Sequence, residues 1–286
     1  MPELPEVQAL VNGLADHLTG GRIDALELAS FSALKTVSPA IGDLAGHEVT
    51  AVERRGKMVC LQAGSLWLVV HLARGGWIRW YPVAPTPAAR PSKSKITLRV
   101  RMEDASGFDV TEMGTEKRVA LWVVRSPEEV EAVGSLGVDP LDPGFTTERL
   151  ASLVGGNPAT LKHLMTTQSV IAGVGNAYSD EILHRAKLSP FKKAANLDGD
   201  EVAALHAAMV GVLGEALDRA SIQDLAELKG DKKRAMEVHG RAGQACPACG
   251  DTVRSVSYST RSMEYCPTCQ TGGKILADRR LSRLLK

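Results

Sequence analysis

Four of the five cysteines in this 286-residue chain, Cys246, Cys249, Cys266 and Cys269, form two Cys-x2-Cys pairs separated by sixteen residues. Thiolates at that spacing can converge on one tetrahedral ion. A shell of four sulfurs leaves no position for water, so the pattern predicts a single structural Zn2+. Each pair sits at a turn, Cys246-Pro-Ala-Cys249-Gly250 and Cys266-Pro-Thr-Cys269, and residues 253 to 258 can open a hairpin between them. Two disulfides are the alternative, which the absence of a secretory leader disfavours. Cys60, in the apolar run 58 to 61, reads as a buried thiol.

A second candidate is the run Val170-Ile-Ala-Gly-Val-Gly-Asn176. Its glycines allow close backbone approach, and its end opens a helix whose unpaired N–H groups favour an anion such as a phosphate. Lys162 and Asn176 are the polar residues at hand. Taken alone, the run reads more simply as a glycine-rich connection between helices.

The formal net charge of +1 conceals an asymmetry. Residues 229 to 286 carry 12 Lys and Arg against 5 Asp and Glu, a net of +7, while the rest of the chain carries −6. A segregated basic segment suits a polyanion or forms a solvated face. Hydrophobic residues at 44% and charged residues at 23% exclude disordered and collagen-like classes. No window approaches the ~18 apolar residues of a membrane span. No membrane partner is expected.

These residues need elements to position them. Val7, Leu10, Val11, Leu14 and Leu18 recur at helical spacing behind Glu3 and Glu6, which predicts a helix over 3 to 18 with acids in its first turn. Alternating and β-branched stretches at 49–52, 58–61, 66–72, 77–80, 96–102, 108–111 and 119–124 predict an antiparallel sandwich. The run 84 to 94 reads as a loop, and 138 to 147, rich in Gly, Pro and Asp, as a domain connection. Helices are expected beyond it at 147–154, 159–167, 177–187, 199–220 and 222–228, then the hairpin with the cysteines.

Five stretches together carry a family resemblance. They are Met1-Pro-Glu-Leu-Pro-Glu-Val7, Arg55-Gly-Lys57, Ile171-Ala-Gly-Val-Gly-Asn-Ala-Tyr-Ser-Asp-Glu181, His239-Gly-Arg-Ala-Gly243, and Arg261 five residues before Cys266-Pro-Thr-Cys-Gln270. In order and along the whole chain they resemble the formamidopyrimidine-DNA glycosylases and their endonuclease VIII relatives. The resemblance implies an α+β fold. An N-terminal catalytic β-sandwich flanked by helices would span 1–137, a helix-two-turn-helix domain 147–230, a four-cysteine zinc finger 238–270 and a basic C-terminal extension 271–286, with DNA in the cleft between the domains.

It also implies a bifunctional DNA glycosylase and AP lyase of base-excision repair. Such an enzyme acts as a monomer on damaged duplex, single-stranded or bubble DNA, in the bacterial cytoplasm at the nucleoid. Once Met1 is removed, Pro2 resembles the family's nucleophile, a secondary amine with pKa near ~8 that is appreciably unprotonated at neutral pH. Glu3 resembles the carboxylate that shuttles protons around the sugar, and Glu6 the one that supports it. Lys57 would contact a phosphate and assist as an acid. Lys162 matches a lysine close to the everted nucleotide, and Asn176 and Arg261 match the phosphate clamps, which fix register without reading sequence.

Two departures bear on specificity. Where the family has a methionine that fills the space left by the flipped base, His71-Leu-Ala-Arg-Gly-Gly76 places Arg74. Where it has an arginine followed by an intercalating phenylalanine, Thr115-Glu-Lys-Arg-Val-Ala120 places Arg118 and Val119. The segment 225 to 236 is short and Lys-rich where oxidised-guanine glycosylases carry a lesion-capping loop. Two other functions fit the sequence less well. A lesion-binding protein without turnover is disfavoured by the intact Pro2, Glu3, Glu6 and Lys57. A zinc-finger transcription factor is disfavoured by the lack of a recognition-helix pattern.

Overall fold

A computed structural model describes residues 1–86, 95–223, 225, 228–257 and 262–277. The chain divides into two compact units, Met1–Leu136 with Arg219–Lys229, and Gly137–Asp218 with Gly230–Lys286.

The first unit begins with helix α1 (Leu4–Leu18), one residue later than its spacing predicts. Its apolar stripe, Val7, Leu10, Val11, Leu14 and Leu18, is buried. The helix packs on strands β2 (Val49–Arg55) and β3 (Met58–Ala63). These two form a four-stranded antiparallel sheet with β4 (Leu66–His71) and β8 (Ala120–Val124), in the order β2-β3-β4-β8. A second antiparallel sheet joins β1 (Ile23–Leu28), β6 (Ile96–Met102), β7 (Gly107–Glu112) and β5 (Gly76–Tyr81), in the order β1-β6-β7-β5.

One core draws Val49, Leu61, Leu68, Val70 and Leu121 from the first sheet and Ile23, Leu98, Val100, Phe108 and Val110 from the second, which makes the pair a sandwich. Each such side chain contributes ~1.5–3 kcal/mol by leaving water. The short helix α2 (Glu131–Gly134) closes the unit. Of the helix expected at 222–228, the described residues Ile222, Gln223 and Leu225 are not helical. Leu225 instead packs into the sandwich core, its carbonyl accepting the Trp77 indole N–H at 3.1 Å.

The second unit is helical, with α3 (Thr147–Val154), α4 (Leu161–Thr166), α5 (Asn176–Arg185), α6 (Gly199–Ser221), which runs on into the first unit's segment, and α7 (Leu228–Ala235). Thr146 caps α3 and Thr160 caps α4, each side-chain oxygen accepting an N–H of the first turn. The hairpin β9 (Arg254–Ser257) and β10 (Ser262–Tyr265) and the short α8 (Pro267–Thr271) complete it. No helix among the described residues is long and apolar enough to cross a membrane.

Candidate functional site

The amino end of α1 gathers the first set of residues. Pro2 is buried, and Glu3 and Glu6 are each only 2% exposed. The Glu3 backbone N–H donates to Glu6 Oε2 at 2.9 Å, and the Val7 N–H donates to the Glu3 carbonyl at 3.0 Å. Glu6 therefore closes the first turn of the helix and fixes the backbone that carries Glu3.

Lys57 lies in the two-residue turn between β2 and β3. Gly56 takes φ +56° at the first central position, the left-handed conformation such hairpin turns favour. Arg54 ties this turn to α1, donating from Nε to Gln8 Oε1 at 2.8 Å and from Nη1 to the Gly56 carbonyl at 3.1 Å. His71, opposite Met58 in the sheet, has its pKa lowered by burial and then by the charge of Lys57, so its ring is neutral at physiological pH.

Arg74 and Arg118 sit on two loops that touch. The Met113 N–H donates to the Gly75 carbonyl at 3.0 Å, and a Cβ on Gly76 would come within 2.7 Å of Val119. Arg74 is exposed, next to Ala73 at φ +48°. Arg118 is exposed and pairs with Glu116 at 2.8 Å. The buried carboxylate of Glu112 organises the second loop, its Oε1 accepting the backbone N–H groups of Arg118 at 2.5 Å and Val119 at 3.0 Å. Val119, at the position where the family has an intercalating phenylalanine, does not face solvent. It is 3% exposed and part of the sandwich core, and the solvent-facing side chains of this loop are Met113, Thr115, Glu116, Lys117 and Arg118.

In the second unit, the glycine-rich run forms the turn before α5. Gln168 holds it, with Oε1 accepting the Gly173 N–H at 3.0 Å and Nε2 donating to the Val174 carbonyl at 2.8 Å. Lys162 and Asn176 do meet: Lys162 Nζ donates to the Asn176 carbonyl at 2.8 Å and to Asp180 Oδ1 at 2.5 Å. The Asn176 side-chain amide donates to the Ser262 carbonyl at 2.7 Å, joining α5 to strand β10. Arg261, the second expected clamp, lies outside the described residues, as do Arg279, Arg280, Arg283 and Lys286 of the basic extension.

Spacing did not foretell a buried cluster beside Lys162. His239 Nδ1 lies 2.7 Å from Asp180 Oδ2 and 3.0 Å from Glu264 Oε2. Burial alone would lower the His239 pKa, but hydrogen bonds to Asp180 and Glu264 and their charges overcome it and raise the pKa to about 9. Next to Asp180, the carboxylate of Glu181 accepts the backbone N–H groups of Glu237, Val238 and His239 at 2.8 to 3.0 Å.

The four paired cysteines converge, and all are free thiols. Their sulfurs lie within 4.8 Å of one another, with Cys246 to Cys269 at 3.9 Å and Cys249 to Cys266 at 3.4 Å. A tetrahedron of Zn–S bonds of ~2.3 Å has S···S edges of ~3.8 Å, so the cluster fits the ion. Burial and the neighbouring sulfurs raise the Cys266 pKa to about 11 and that of Cys269 further, a penalty that a bound dication would reverse.

Matches to known protein families run along the chain. Residues 1–115 match the formamidopyrimidine-DNA glycosylase N-terminal domain, 136–225 its H2TH domain, and 243–272 the zinc finger found in FPG and IleRS. The formamidopyrimidine-DNA glycosylase of a Roseiflexus species is 34% identical over 279 residues, covering 94% of this chain and 100% of its own. The chain belongs to the formamidopyrimidine-DNA glycosylase family. An uncharacterised glycosylase-like protein of Mycobacterium tuberculosis is 56% identical over 152 residues, 53% of this chain and 95% of its own. Among solved structures, the MutM (Fpg) protein of Thermus thermophilus shares the fold at a TM-score of 0.80 and 29% identity, over 96% of this chain and 100% of its own. The Lactococcus lactis Fpg in complex with DNA containing an abasic site shares the fold at a TM-score of 0.82 and 23% identity, over 94% and 99%.

Against the family pattern, sequence reasoning missed Gln168, Glu112, the Asp180–His239–Glu264 cluster and His184, whose ring touches Cys246. Asp180 and Glu181 stand within the stretch that carries the family resemblance, and that was the only available signal for them.

Proposed function

We propose that the chain is a bifunctional DNA glycosylase and AP lyase that excises damaged bases through its amino-terminal proline. Freed of Met1, Pro2 adds its lone pair to C1′ of an everted nucleotide, and the base leaves with the glycosidic electron pair and a proton. The amine then loses its proton and its lone pair expels O4′, which takes a proton, so the opened sugar is an iminium. Loss of a C2′ proton expels the 3′ phosphate, and a second elimination expels the 5′ phosphate. Glu3 carries the protons of these steps, Glu6 holds its backbone in place, and Lys57 meets a phosphate.

Asn176 and Arg261 clamp phosphates, Lys162 lies close to the everted nucleotide, and Arg74 and Arg118 meet the strand around the lesion. The organisation is a catalytic domain over 1–137, a helical DNA-binding domain over 147–230, a finger over 238–270 and a basic extension. Cys246, Cys249, Cys266 and Cys269 would hold one structural Zn2+, which supplies folding energy to the finger and takes no part in the chemistry. The partner is damaged DNA, bound by a monomer.

The observation that carries this function is the pair of buried, backbone-linked carboxylates Glu3 and Glu6 directly behind Pro2. Borohydride trapping on duplex DNA with an abasic site, followed by peptide mass spectrometry, tests it. A crosslink on the amino-terminal peptide is expected. A crosslink on Lys57 would reassign the nucleophile, and no crosslink at all would favour a lesion-binding protein without turnover.

A further inference from the structure

Helix α5 presents Asn176, Asp180 and His184 at intervals of four, which places them on one face. Each grips a different piece of the finger region. Asn176 holds the Ser262 carbonyl of β10 at 2.7 Å, Asp180 holds His239 at 2.7 Å, and His184 Nε2 lies 3.2 Å from Cys246 Sγ. His184 is 4% exposed and Cys246 2% exposed, so neither is served by bulk water.

Four thiolates around one dication leave an excess of two negative charges, and hydrogen bonds to sulfur are the protein's means of sharing it. Two of the other sulfurs are served by the finger's own backbone, since the Asp251 N–H reaches the Cys249 sulfur and the Cys269 N–H the Cys266 sulfur. Cys246 differs in drawing on a side chain from 62 residues away in sequence. A metal-bound thiolate has no proton to give, so the ring nitrogen is the donor. The second ring nitrogen, Nδ1, has no hydrogen-bond partner among the described residues and lies 3.4 Å from Glu237 Oε2.

We propose that His184 is an outer-sphere partner of the zinc centre: its Nε2–H donates to the Cys246 thiolate, shares that sulfur's charge and locks the finger onto α5. The proposal rests on the zinc assignment above, and its test separates the two. Zinc release from the full-length protein to a chromophoric chelator in excess is measured for wild type, His184→Phe and His184→Gln. His184→Phe should lose zinc about ten- to hundred-fold faster, in line with the loss of metal affinity that removal of outer-sphere partners causes. His184→Gln returns an N–H donor near the same place and should recover most of the retention.

Wild-type protein holding less than one zinc per chain would refute the metal assignment and this proposal together. Stoichiometric zinc with equal release rates in wild type and His184→Phe would refute the role of His184 alone. Should His184→Phe fail to fold, NMR of cadmium-loaded wild type decides. The His184 Nε2–H proton should show a scalar coupling to cadmium across the hydrogen bond, and a resolved proton without that coupling overturns the proposal.

Discussion

Glu6 accepts the backbone N–H of Glu3 at 2.9 Å in a place where both are sealed from solvent. Glu6, three residues on, thus fixes the helix end and the backbone that carries Glu3. Glu6→Ala orphans a buried donor and should cost about 1–3 kcal/mol of stability, read from the midpoint of denaturant unfolding. Glu3→Gln should leave that midpoint near wild type while slowing single-turnover strand scission by at least ~100-fold, the usual contribution of a positioned acid–base group. Equal kinetics in Glu3→Gln and wild type would remove Glu3 from the mechanism.

The metal makes a second prediction. A finger whose local core is Val238, Val253 and the cysteines themselves is too small to fold on apolar burial alone. Cys246→Ser, or chelation of the wild type, should release the ion and impair duplex binding measured by fluorescence anisotropy. Full affinity in metal-free protein would show that the finger contributes nothing to binding.

Asn176 spends its side-chain amide on Ser262, the residue that follows Arg261. Asn176→Ala and Arg261→Ala should each weaken binding to every lesion alike, by roughly 1–3 kcal/mol for a charge-assisted contact. Because Asn176 also anchors the strand beyond position 261, the double variant should lose less than the two single losses combined, by at least ~0.5 kcal/mol. A lesion-selective effect would assign these residues a reading role instead.

His239 gives the second unit a pH dependence of defined sign. Its folded pKa of about 9 exceeds the ordinary value of 6.5 because its bonds to Asp180 and Glu264 and their charges outweigh the opposing effect of burial. Its contribution to stability is therefore complete below pH 6.5 and is lost as pH rises through about 9. A shift of that size corresponds to ~3 kcal/mol, and screening at its partly exposed ring brings the expectation to ~2 kcal/mol. Unfolding of wild type at a series of pH values should show this decline, and His239→Gln should flatten it.

Much of this architecture is readable from local spacing, because period and position are local properties. Helix α3 and strand β6 run over the residues their patterns predict, and the cysteine pairs converge as their spacing requires. Strand β1 is not legible, since Asp24 and Glu27 interrupt its alternation. Glu27 finds a partner across the sheet, where Arg101 Nε meets it at 2.6 Å. The segment 222 to 228 has helical spacing, yet Leu225 is captured by the sandwich and its carbonyl by Trp77. Asp180, His239 and Glu264 come from three distant stretches, so no window of sequence holds them together. Glu264 lies between the buried Met263 and Tyr265, where an acid gives no local hint of its partner.

The last prediction concerns the range of lesions. Family relatives fill the space left by an everted base with a flexible apolar side chain, whereas here the exposed residue of that loop is Arg74. The neighbouring loop keeps Val119 in the core and offers Met113, Lys117 and Arg118 to solvent, and none of its exposed residues is aromatic. A guanidinium can occupy the gap, since its planar face stacks on bases and its donors reach phosphates, but it selects little by shape. Loss of an aromatic stack removes ~1–3 kcal/mol of contact with the estranged base. Opposite-base discrimination should therefore be weak. Abasic sites, ring-opened purines, oxidised pyrimidines in single-stranded or bubble DNA, and bulky or crosslinked adducts should be processed at least as well as oxidised guanine opposite cytosine. Single-turnover excision of each lesion against all four opposite bases measures this directly, and Arg74→Met supplies the internal control by restoring an apolar wedge. A strong, cytosine-dependent preference for oxidised guanine in the wild type would show that opposite-strand recognition comes from residues other than these two loops.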